Sequence, residues 1–573
     1  MIGPKTLSLH ATDVVCILSN VALKTTVVYF VRWLPLGPRF VPIINTSLVV
    51  YLTTFCLRII TSDRTPRRQP APISSRLFNI LLGKYTPKHT RTNIFALFLT
   101  IPFYLASVDF VYRGNVLYQS SNLSFSRIGF VDNSTARITI RSPGSPYVQI
   151  RYRSVHETST PADWEVGPVI YASEQLDHVG TFLLTNLLAN TTYSYHTNAS
   201  VSHIGTFQTA THNPKKWSML SSSCMSPFFP YNPLSHALHL PGLEHLSHYL
   251  SSSPASPNPQ FMLFLGDFIY IDLPIRFGTS PSHYTTAYRK VYASPSWTQS
   301  QSQSKSQDQF LPLTSLPWIH AYDDHEITND WAGGDYNTNA NATATATDTD
   351  LLYTSAMTPW HSYQAGGNPS PLHANGTYFT FSLGDVSFFV LDTRRYRSAE
   401  DMPDGKGKTM LGSQQLEDLL GWLETEKGRL KVLVSSVPFT RNWRGVESRD
   451  SWAGYLWERE RVLEGMWRTE GVVVISGDRH EHATTRFPST DGKSNVIEFS
   501  TSPLSQFYQP FERQYRQEED SDVMIYSHPY GVSKFGVFDF DTSDEMVWKV
   551  GFGLVVDGVK FWEYEWSAER TDR

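Results

Sequence analysis

Hydrophobic residues follow two patterns along this chain of 573 residues: long unbroken runs near the start, then short strand-like segments. The three long runs carry a single charged residue, Lys24. A run of about 18 uncharged residues approaches the roughly 20 that a helix needs to cross a bilayer. The pattern therefore predicts three transmembrane helices, at about 11–31, 40–60 and 93–111.

The segment between the second and third runs is strongly basic, and the positive-inside rule places it in the cytosol together with the N-terminus. Its basic residues are Arg58, Arg64, Arg67, Arg68, Arg76, Lys84, Lys88 and Arg91. In this orientation the third helix carries everything after about residue 113 to the lumenal or extracellular side. Six N-x-Ser/Thr sequons, which matter only in the secretory lumen, agree with that side. They begin at Asn122, Asn133, Asn190, Asn198, Asn341 and Asn375.

The charge is distributed unevenly between the start of the chain and the remainder. Residues 1–113 hold 13 basic and 3 acidic side chains, whereas the rest holds 35 basic and 50 acidic ones. An acidic surface argues against nucleic-acid binding, because a phosphate backbone is bound through a basic footprint. At this length we expect several folding units. We predict a membrane anchor at 1–113, a β-sandwich at 115–212 and a larger α/β domain at 216–565.

Polar and apolar residues alternate in short segments between 115 and 212, for example in YVQIRYRS and TTYSYHTNA. Several such strands at close spacing are typical of a β-sandwich. The stretch LTNLLANTTYSYHT resembles the corner of a fibronectin type III domain, in which the Tyr193 hydroxyl would bind the backbone upstream. The segment is interpreted as a spacer or orienting module.

From about residue 216, hydrophobic strands end abruptly in polar clusters, as in FMLFLGDFIY, PWIHAYDDHE and GVVVISGDRHEH. Helical segments such as SQQLEDLLGWLETE lie between several of them. Buried strands that alternate with helices indicate a layered α/β domain, in which ligands collect at strand ends. Three low-complexity stretches, at 251–260, 294–309 and 337–350, are predicted to be surface loops.

The polar clusters offer many ligands for metal ions, although each alone has a plainer interpretation as a turn, a helix cap or a solvated loop. On extended chain alternate residues share one face, so that Asp478, His480 and His482 could line one pocket. Cys224 is the only cysteine outside the predicted spans. It is either a buried inert thiol or a thiolate that a metal protects from oxidation.

Together the clusters resemble one family. GDFIY, YRKVYASPSW, DDHEITNDW, LDTRRYRS, MLGSQQLEDLLGWL, VSSVPF, DSWAGY and SGDRHEH occur in the order and approximate wording of the PhoD-like alkaline phosphatases and phosphodiesterases. That family lies within the calcineurin-like metallophosphoesterase superfamily. The resemblance covers roughly residues 216–545 and the β-domain before them. It implies an αββα fold and metal-dependent hydrolysis of phosphate mono- or diesters.

The resemblance also implies a mixed metal site. A ferric ion would be held by Cys224, Asp267 and Tyr270, whose anionic donors suit a trivalent ion. One or two calcium ions would lie nearby. The positions that match their ligands are Asp324, Asp478 and His480. DDHE and GDRH depart from the superfamily's GNH(D/E) and GHxH motifs by replacing amide and imidazole donors with carboxylates, which favours calcium over zinc. Other divalent metals would also accept these donors.

In the implied mechanism a hydroxide formed on the cations attacks phosphorus in line while the cations hold the phosphate oxygens. His325 is the expected acid that protonates the leaving alkoxide. Arg395 is the arginine expected to stabilise phosphate charge, with a salt bridge as the plainer alternative. Residues expected to support the site are Asp323, Glu326, Asn329, Arg394, Arg397 and His482.

Two other classes of protein fit part of the pattern. A non-catalytic membrane receptor or adhesion protein would have the β-sandwich, the acidic head and a structural metal site. The retained ligands together with His325 argue against a decayed site of this kind. A zinc hydrolase of another fold would need ligands rich in His and Cys. We therefore predict a membrane-anchored phosphoric ester hydrolase whose partners are a phosphate ester and the bilayer.

Overall fold

The structure is a computed structural model, in which the chain forms two units. The first comprises Met1–Tyr118, Phe228–Ala237 and Leu273–Arg276, and the second comprises the rest. The structure describes residues 4–62, 72–155, 164–252, 259–297, 313–333, 348–492, 494–505, 515–517 and 522–570. The sequon at Asn341, the basic residues Arg64, Arg67 and Arg68, and most of the three low-complexity stretches lie outside the described residues.

The first unit contains three long helices that are apolar around most of their circumference and one short helix with a polar and an apolar side. They are α1 (Pro4–Arg32), α2 (Gly37–Ser62), α3 (Ile73–Leu81) and α4 (Thr90–Leu117). Large apolar side chains stay on the surface of this unit, with Leu18 62% and Phe98 67% exposed, which is unfavourable in water. Three stretches are long and apolar enough to cross a membrane: His10–Arg32, Gly37–Thr61 and Thr90–Leu117.

Polar side chains join the elements of this unit. Asp13 on α1 accepts from Nε of Arg58 on α2 at 2.6 Å and lies 3.1 Å from Nζ of Lys84. Tyr231, from the later part of the unit, donates to Oδ2 of Asp109 on α4 at 2.9 Å. Charged groups in an apolar bundle are stable when they are paired, and both of these acids have partners.

The first part of the second unit is a pair of β-sheets. Its strands are β1 (Phe125–Val131), β2 (Ala136–Arg141), β3 (Tyr147–Ser154), β4 (Glu165–Tyr171), β5 (Val179–Leu184), β6 (Thr192–Thr197) and β7 (Ile204–Gln208). One sheet has the order β1-β2-β5 and the other β4-β3-β6-β7. Ile138, Phe182 and Phe207 belong to their shared core. The Tyr193 hydroxyl accepts from the backbone N–H of Leu188 at 2.8 Å, as a tyrosine corner requires.

Two larger sheets form the rest of this unit. Their strands are β8 (Lys216–Ser222), β9 (Met262–Leu265), β10 (Trp318–Ala321), β11 (Phe379–Leu383), β12 (Val386–Val390), β13 (Leu430–Val434), β14 (Val472–Ser476), β15 (His482–Pro488), β16 (Asn495–Thr501), β17 (Val523–His528), β18 (Lys534–Asp541), β19 (Val547–Val556) and β20 (Val559–Glu569). The orders are β10-β9-β8-β18-β19-β20 and β11-β12-β13-β14-β16-β15-β17. Strands β8, β9 and β10 are parallel neighbours, and so are β12, β13, β14 and β16. The loops after parallel strands gather at one edge of each sheet.

A shared core lies between the two large sheets, and helices cover their other faces. Met219 and Leu263 of the first sheet belong to one hydrophobic cluster with Val432 and Val473 of the second. The helices are α5 (Pro241–Ser252), α6 (Pro281–Tyr292), α7 (Asp348–Tyr363), α8 (Gly412–Thr425) and α9 (Leu456–Trp467). Helices α5, α6 and α7 pack with the six-stranded sheet, and α8 and α9 pack with the seven-stranded one. Packing on both faces fixes where the strand ends lie.

Candidate metal centre

Four loops that follow strands supply the potential metal ligands. Cys224 follows β8, Asp267 and Tyr270 follow β9, Asp324 follows β10, and Asp478 and His480 follow β14. The backbone is left-handed at Cys224, Asp267, Asp478 and His480, with φ of 62°, 56°, 74° and 56°. Residues with a Cβ adopt this conformation at a cost of about 1–3 kcal/mol, so that the surrounding packing must hold it. These sharp turns differ from the extended chain expected after β14.

The ligand atoms of these residues converge. Among the described residues, four groups have ligand atoms that all lie within 4.8 Å of one another: Cys224, Asp267 and His480; Asp267, Asp324 and His325; Asp267, Asp323 and Asp478; Asp324, Asp330 and Asp450. Asp267 belongs to the first three, so its carboxylate would contribute to holding cations bound at this cluster. Its Oδ2 lies 3.4 Å from Sγ of Cys224 and 3.0 Å from the hydroxyl of Tyr270. The Tyr270 hydroxyl lies 3.3 Å from Nε2 of His480.

The acids of this cluster are removed from water and crowded together. Burial, followed by the charges of Asp267 and Asp478, raises the pKa of the Cys224 thiol well above its usual value. Burial likewise raises the pKa of Asp267, of Asp478 and of the Tyr270 phenol well above their usual values. Such acids ionise together only when cations lie among them. The donor set of carboxylates, a phenolate, a thiolate and an imidazole therefore fits a metal centre.

His325 is held by a carboxylate that the sequence interpretation did not include. Its Nδ1 lies 2.8 Å from Oδ1 of Asp272, while Oδ2 of Asp272 accepts from the backbone N–H of Asn329 at 2.7 Å. Burial by itself would lower the pKa of His325, but Asp272, Asp324 and Asp267 outweigh it and raise that pKa well above its usual value. Asp272 thus orients the ring and favours the protonated form, as a proton donor needs.

Glu326 connects two of the loops rather than facing the ligands. Its carboxylate accepts from the backbone N–H groups of Asp267, Phe268, Ile269 and Asp323 at 2.9, 2.6, 3.4 and 2.8 Å. Burial, opposed by these hydrogen bonds, raises the pKa of Glu326 to about 7. Glu326 therefore links the GDFIY loop to the DDHE loop, and its supporting role in the site stays a prediction.

Arg394 and Arg397 are fully buried and share the carboxylate of Asp450. Arg394 donates to both oxygens of Asp450, at 2.5 and 2.9 Å, and to both oxygens of Asp323, at the same two distances. Arg397 donates to the Asp450 carbonyl at 3.1 Å and to its carboxylate. Ser436 donates to Oδ1 of Asp323 at 2.6 Å. This network supports the loop that carries Asp324 and gives both arginines carboxylate partners.

Arg395, the arginine expected to stabilise phosphate charge, has other described contacts. Its Nη1 donates to the carbonyl of Asn375 at 2.8 Å. Its guanidinium carbon lies 5.8 Å and 5.3 Å from the ring centroids of Tyr353 and Tyr396. None of these contacts is with the ligand cluster, and the role of Arg395 in catalysis stays a prediction.

His482 does not share a face with Asp478 and His480. Its ring nitrogens lie 3.0 Å from the hydroxyls of Thr501 and Thr484, and its ring stacks on Phe552 at 5.1 Å. The expected alternation fails because extended chain begins only at His482, after the left-handed turns at the two earlier residues. The supporting contribution of His482 is therefore to the packing of β15.

Two acids of the site escaped the sequence interpretation. Asp272 stands two residues after Tyr270, in GDFIYID, and Asp450 begins the DSWAGY stretch. Asp450 lies within a motif that carries the family resemblance, and Asp272 lies just after another such motif. Their partners His325 and Arg394 lie 53 and 56 positions away in the chain, so that only folding pairs them.

The fold and this cluster define a two-sheet α/β protein with a candidate metal centre at its strand ends. The model of the PhoD-like phosphatase family matches residues 242–549, which is more than half of the chain. The chain therefore belongs to the PhoD-like phosphatase family.

The chain is also similar to individual proteins of known sequence or structure. Alkaline phosphatase D of Bacillus subtilis (strain 168) is 30% identical over 193 residues, which cover 29% of this chain and 31% of that protein. The match thus spans about a third of the curated relative. The solved structure of PhoD matches with a TM-score of 0.57 at 16% identity, over 77% of this chain and 89% of that one, and shows a shared fold. A purple acid phosphatase from yellow lupin (Lupinus luteus) seeds matches with a TM-score of 0.49 at 11% identity, over 78% of this chain and 75% of that one.

Proposed function

We propose that this protein is a metal-dependent phosphoric ester hydrolase, anchored in a membrane, that acts on phosphate mono- or diesters. The observation that carries the proposal is the convergence of Cys224, Asp267, Asp324, Asp478 and His480 from four strand ends. Membership of the PhoD-like phosphatase family supports it. Cations held at this cluster would polarise the ester and lower the pKa of the attacking water.

The protein's own residues divide the work as follows. Asp267 holds its carboxylate at the centre of the cluster, where Glu326 fixes the backbone around it. The carboxylate of Asp272 contacts Nδ1 of His325, so that Nε2 on the other side of the ring faces away from Asp272. His325 then donates its proton to the leaving oxygen, which general acid catalysis requires within hydrogen-bond reach.

We propose the finer identity of the metals from the donors. Cys224, Asp267 and Tyr270 would hold Fe3+, because a thiolate, a carboxylate and a phenolate together offset a trivalent charge. Asp324, Asp478 and His480 would hold one or two Ca2+ ions with oxygen-rich ligation. A charge-transfer band from Tyr270 and Cys224 is the expected signature of iron. A colourless zinc protein with full activity would contradict this part of the proposal.

The finer assignments of architecture are also proposals. We take the domains as a membrane anchor at 1–113, a fibronectin III-like β-sandwich at 115–212 and an αββα catalytic domain at 216–565. The tyrosine corner at Tyr193 supports the second of these. The shared core between the two large sheets, with helices on their outer faces, supports the third.

The test of activity uses the full chain purified in detergent, with aryl phosphate mono- and diesters as substrates and mass spectrometry of bound metal. Asp267→Asn should lose both metal and turnover. Cys224→Ala should lose iron, and His325→Ala should keep the metals while losing rate by about 10²–10⁴-fold. Unchanged turnover in all three variants would remove the proposed site.

Matched controls exist on the same chain. His373 lies 2.7 Å from Asp418 in an exposed pair with the same chemistry as His325 and Asp272. Cys56 is an exposed cysteine in the first unit. His373→Ala and Cys56→Ala should both keep full turnover and metal content, which would show that losses in the test variants come from the cluster.

We propose that His10–Arg32, Gly37–Thr61 and Thr90–Leu117 span the membrane, with the basic segment in the cytosol and residues after about 113 in the lumen or outside. The apolar side chains on the surfaces of these helices support the first point. Treatment of the expressed protein with an N-glycosidase should increase its mobility. Replacing Asn122, Asn190 and Asn198, which are all exposed, should reduce that shift. A cytosolic head would carry no such glycans.

A further inference from the structure

Helix α3 lies in the basic segment that the positive-inside rule places in the aqueous cytosol, yet it turns its apolar residues outward. Ile73, Leu77, Phe78 and Leu81 are 69%, 59%, 61% and 64% exposed. Spacings of four, five and eight residues put these side chains on one side of a helix. In water such a stripe would face the protein interior, not the surroundings.

The opposite side of α3 is the one that packs on the rest of the unit. Arg76 and Asn79 on that side are half-buried, and Nδ2 of Asn79 donates to the hydroxyl of Thr86 at 3.1 Å. Helix α3 packs against α4, whose Ile94 is 59% exposed. The amphipathic pattern is therefore the reverse of that of a helix on a protein in water.

The turn after α3 reaches the middle of the first candidate span. Lys24 on α1 donates its Nζ to the carbonyl of Leu81 at 3.0 Å, and Sγ of Cys16 donates to the carbonyl of Gly83 at 3.7 Å. Gly83 has φ of +69°, and a Cβ there would collide with the side-chain amide of Asn20. The α1 residues that contact this turn, Cys16, Asn20 and Lys24, all lie in the central part of His10–Arg32.

The depth of the turn follows from helix geometry. The charged pair of Asp13 and Arg58 marks the end of the bundle on the basic side. Asn20 lies seven residues further along α1, which is about 10 Å at 1.5 Å per residue. Irregular backbone is stable at such depth only when protein groups satisfy it. Here the N–H groups of Leu82 and Gly83 donate to the carbonyls of Phe78 and Ile80 at 3.0 and 3.2 Å, and α1 side chains donate to the carbonyls of Leu81 and Gly83.

We propose that residues 73–86 are a re-entrant segment that enters the bilayer from the basic side, with the stripe of α3 in contact with lipid acyl chains. This inference rests on the membrane attachment proposed above. Lipid is the occupant because the apolar stripe of α3 adjoins α4, which also presents apolar side chains. Lys88 and Arg91, just after the turn, suit the phosphates of the headgroup layer.

The test places an environment-sensitive fluorophore on single cysteines of the full chain in phospholipid vesicles. The parent is Cys56→Ser, whose residual labelling at the two buried cysteines is the background. Leu77→Cys and Phe78→Cys report on the stripe. Lys88→Cys reports on the exposed position after the turn, and Val49→Cys, 62% exposed on α2, reports on a span. Each variant must retain the parent's hydrolytic activity.

We expect the probes at residues 77, 78 and 49 to emit at shorter wavelength and to be quenched by nitroxide groups on acyl chains. The probe at residue 88 should be quenched by iodide instead. Probes at 77 and 78 that respond to iodide, beside a probe at 49 in lipid, would overturn the re-entrant segment and leave the anchor intact. All probes in water would overturn the anchor as well. Probes at 77 and 78 shielded from both quenchers would indicate a protein partner and also overturn the proposal.

Discussion

Two buried clusters of acids in the larger unit differ in what balances their charge. Asp450 lies between Arg394 and Arg397, which outweigh the effect of burial and hold the pKa of Asp450 below its usual range. Asp267 is equally buried, but burial, only partly offset by His325, raises its pKa well above the usual value. The first cluster contains its own cations, whereas the second contains mainly further acids.

The difference separates structure from function within one domain. A network of arginines and aspartates is complete when the chain has folded, and its role is to hold loops in place. The acids around Asp267 outnumber the described arginines that reach them, Arg394 at Asp323 and Arg479 at Asp478, and such a cluster is complete only when cations enter from solution. Five measurements would break or sharpen this comparison.

Removal of metal should have the largest effect. Dialysis of the full chain against a chelator should lower ester hydrolysis to background, because the acids around Asp267 outnumber the described arginines that contact them and their charge needs bound cations. Readdition of Fe3+ with Ca2+ should restore the rate. Circular dichroism should show that the sheets persist, since the network of Arg394 and Asp450 needs no ion. Full activity in the chelated protein would break the comparison.

Loss of the proton donor should come next. His325→Gln should lower kcat by about 10²–10⁴-fold for alkyl phosphate esters and less for 4-nitrophenyl esters, whose leaving group needs little protonation. Asp272→Asn should give a smaller loss with the same dependence on the leaving group, because it acts through the ring of His325. A uniform loss across leaving groups would assign His325 to binding instead.

Breaking the arginine network should destabilise the protein rather than alter its chemistry. Asp450→Asn leaves Arg397 without its carboxylate partner at this position, at a cost of about 3–5 kcal/mol in the free energy of unfolding. The control Asp385→Asn removes partly exposed salt bridges to Lys215 and Arg429 and should cost less than about 1 kcal/mol. Equal denaturation midpoints for the two variants would contradict the role given to Asp450.

Weakening the link between loops should affect metal affinity alone. Glu326→Gln places an amide N–H against backbone N–H groups, and we expect metal affinity to fall by about 10–100-fold with kcat nearly unchanged at saturating metal. Glu498 is a matched control, because it also accepts two backbone N–H groups and burial also raises its pKa to about 7. Glu498→Gln should reduce stability while leaving metal affinity as in the wild type.

The smallest effect should be a pH dependence of stability from His203. Burial lowers the pKa of this histidine to about 4, against about 6.5 in the unfolded chain. The unfolded chain therefore binds the proton more tightly, and stability is lost as the pH falls from about 6.5 towards 4. The loss should reach about 2 kcal/mol near pH 5. In the His203→Gln variant the free energy of unfolding should fall less steeply as the pH is lowered. Equal falls in the variant and the wild type would contradict the assignment to His203.

Much of the candidate site follows from local sequence. The acidic clusters were predicted from hydrophobic strands that end in acids, whereas the role of Cys224 came from the family resemblance. The structure places Cys224, Asp267 and Asp478 directly after β8, β9 and β14. The apolar runs likewise predicted the three long helices of the first unit. These features depend on a few consecutive residues, so that composition and spacing are sufficient to indicate them.

Other parts depended on contacts between distant positions. Alternation on an extended strand predicted that His482 joins Asp478 and His480, and this was wrong because two left-handed residues precede β15. Nothing in the order of residues showed that Asp272 would hold His325. A loop prediction for the basic segment likewise missed α3 with its outward apolar stripe.

By itself the sequence determined which residues were available: strand-end acids, a single cysteine outside the apolar runs, and those runs themselves. Tertiary structure alone decided which acids receive an arginine and which are left for a cation. The reason is that charge balance in a protein interior depends on distances of a few ångströms between groups tens to hundreds of residues apart. The local sequence determines which side chains a loop carries, and the packing of the sheets determines which groups those side chains contact.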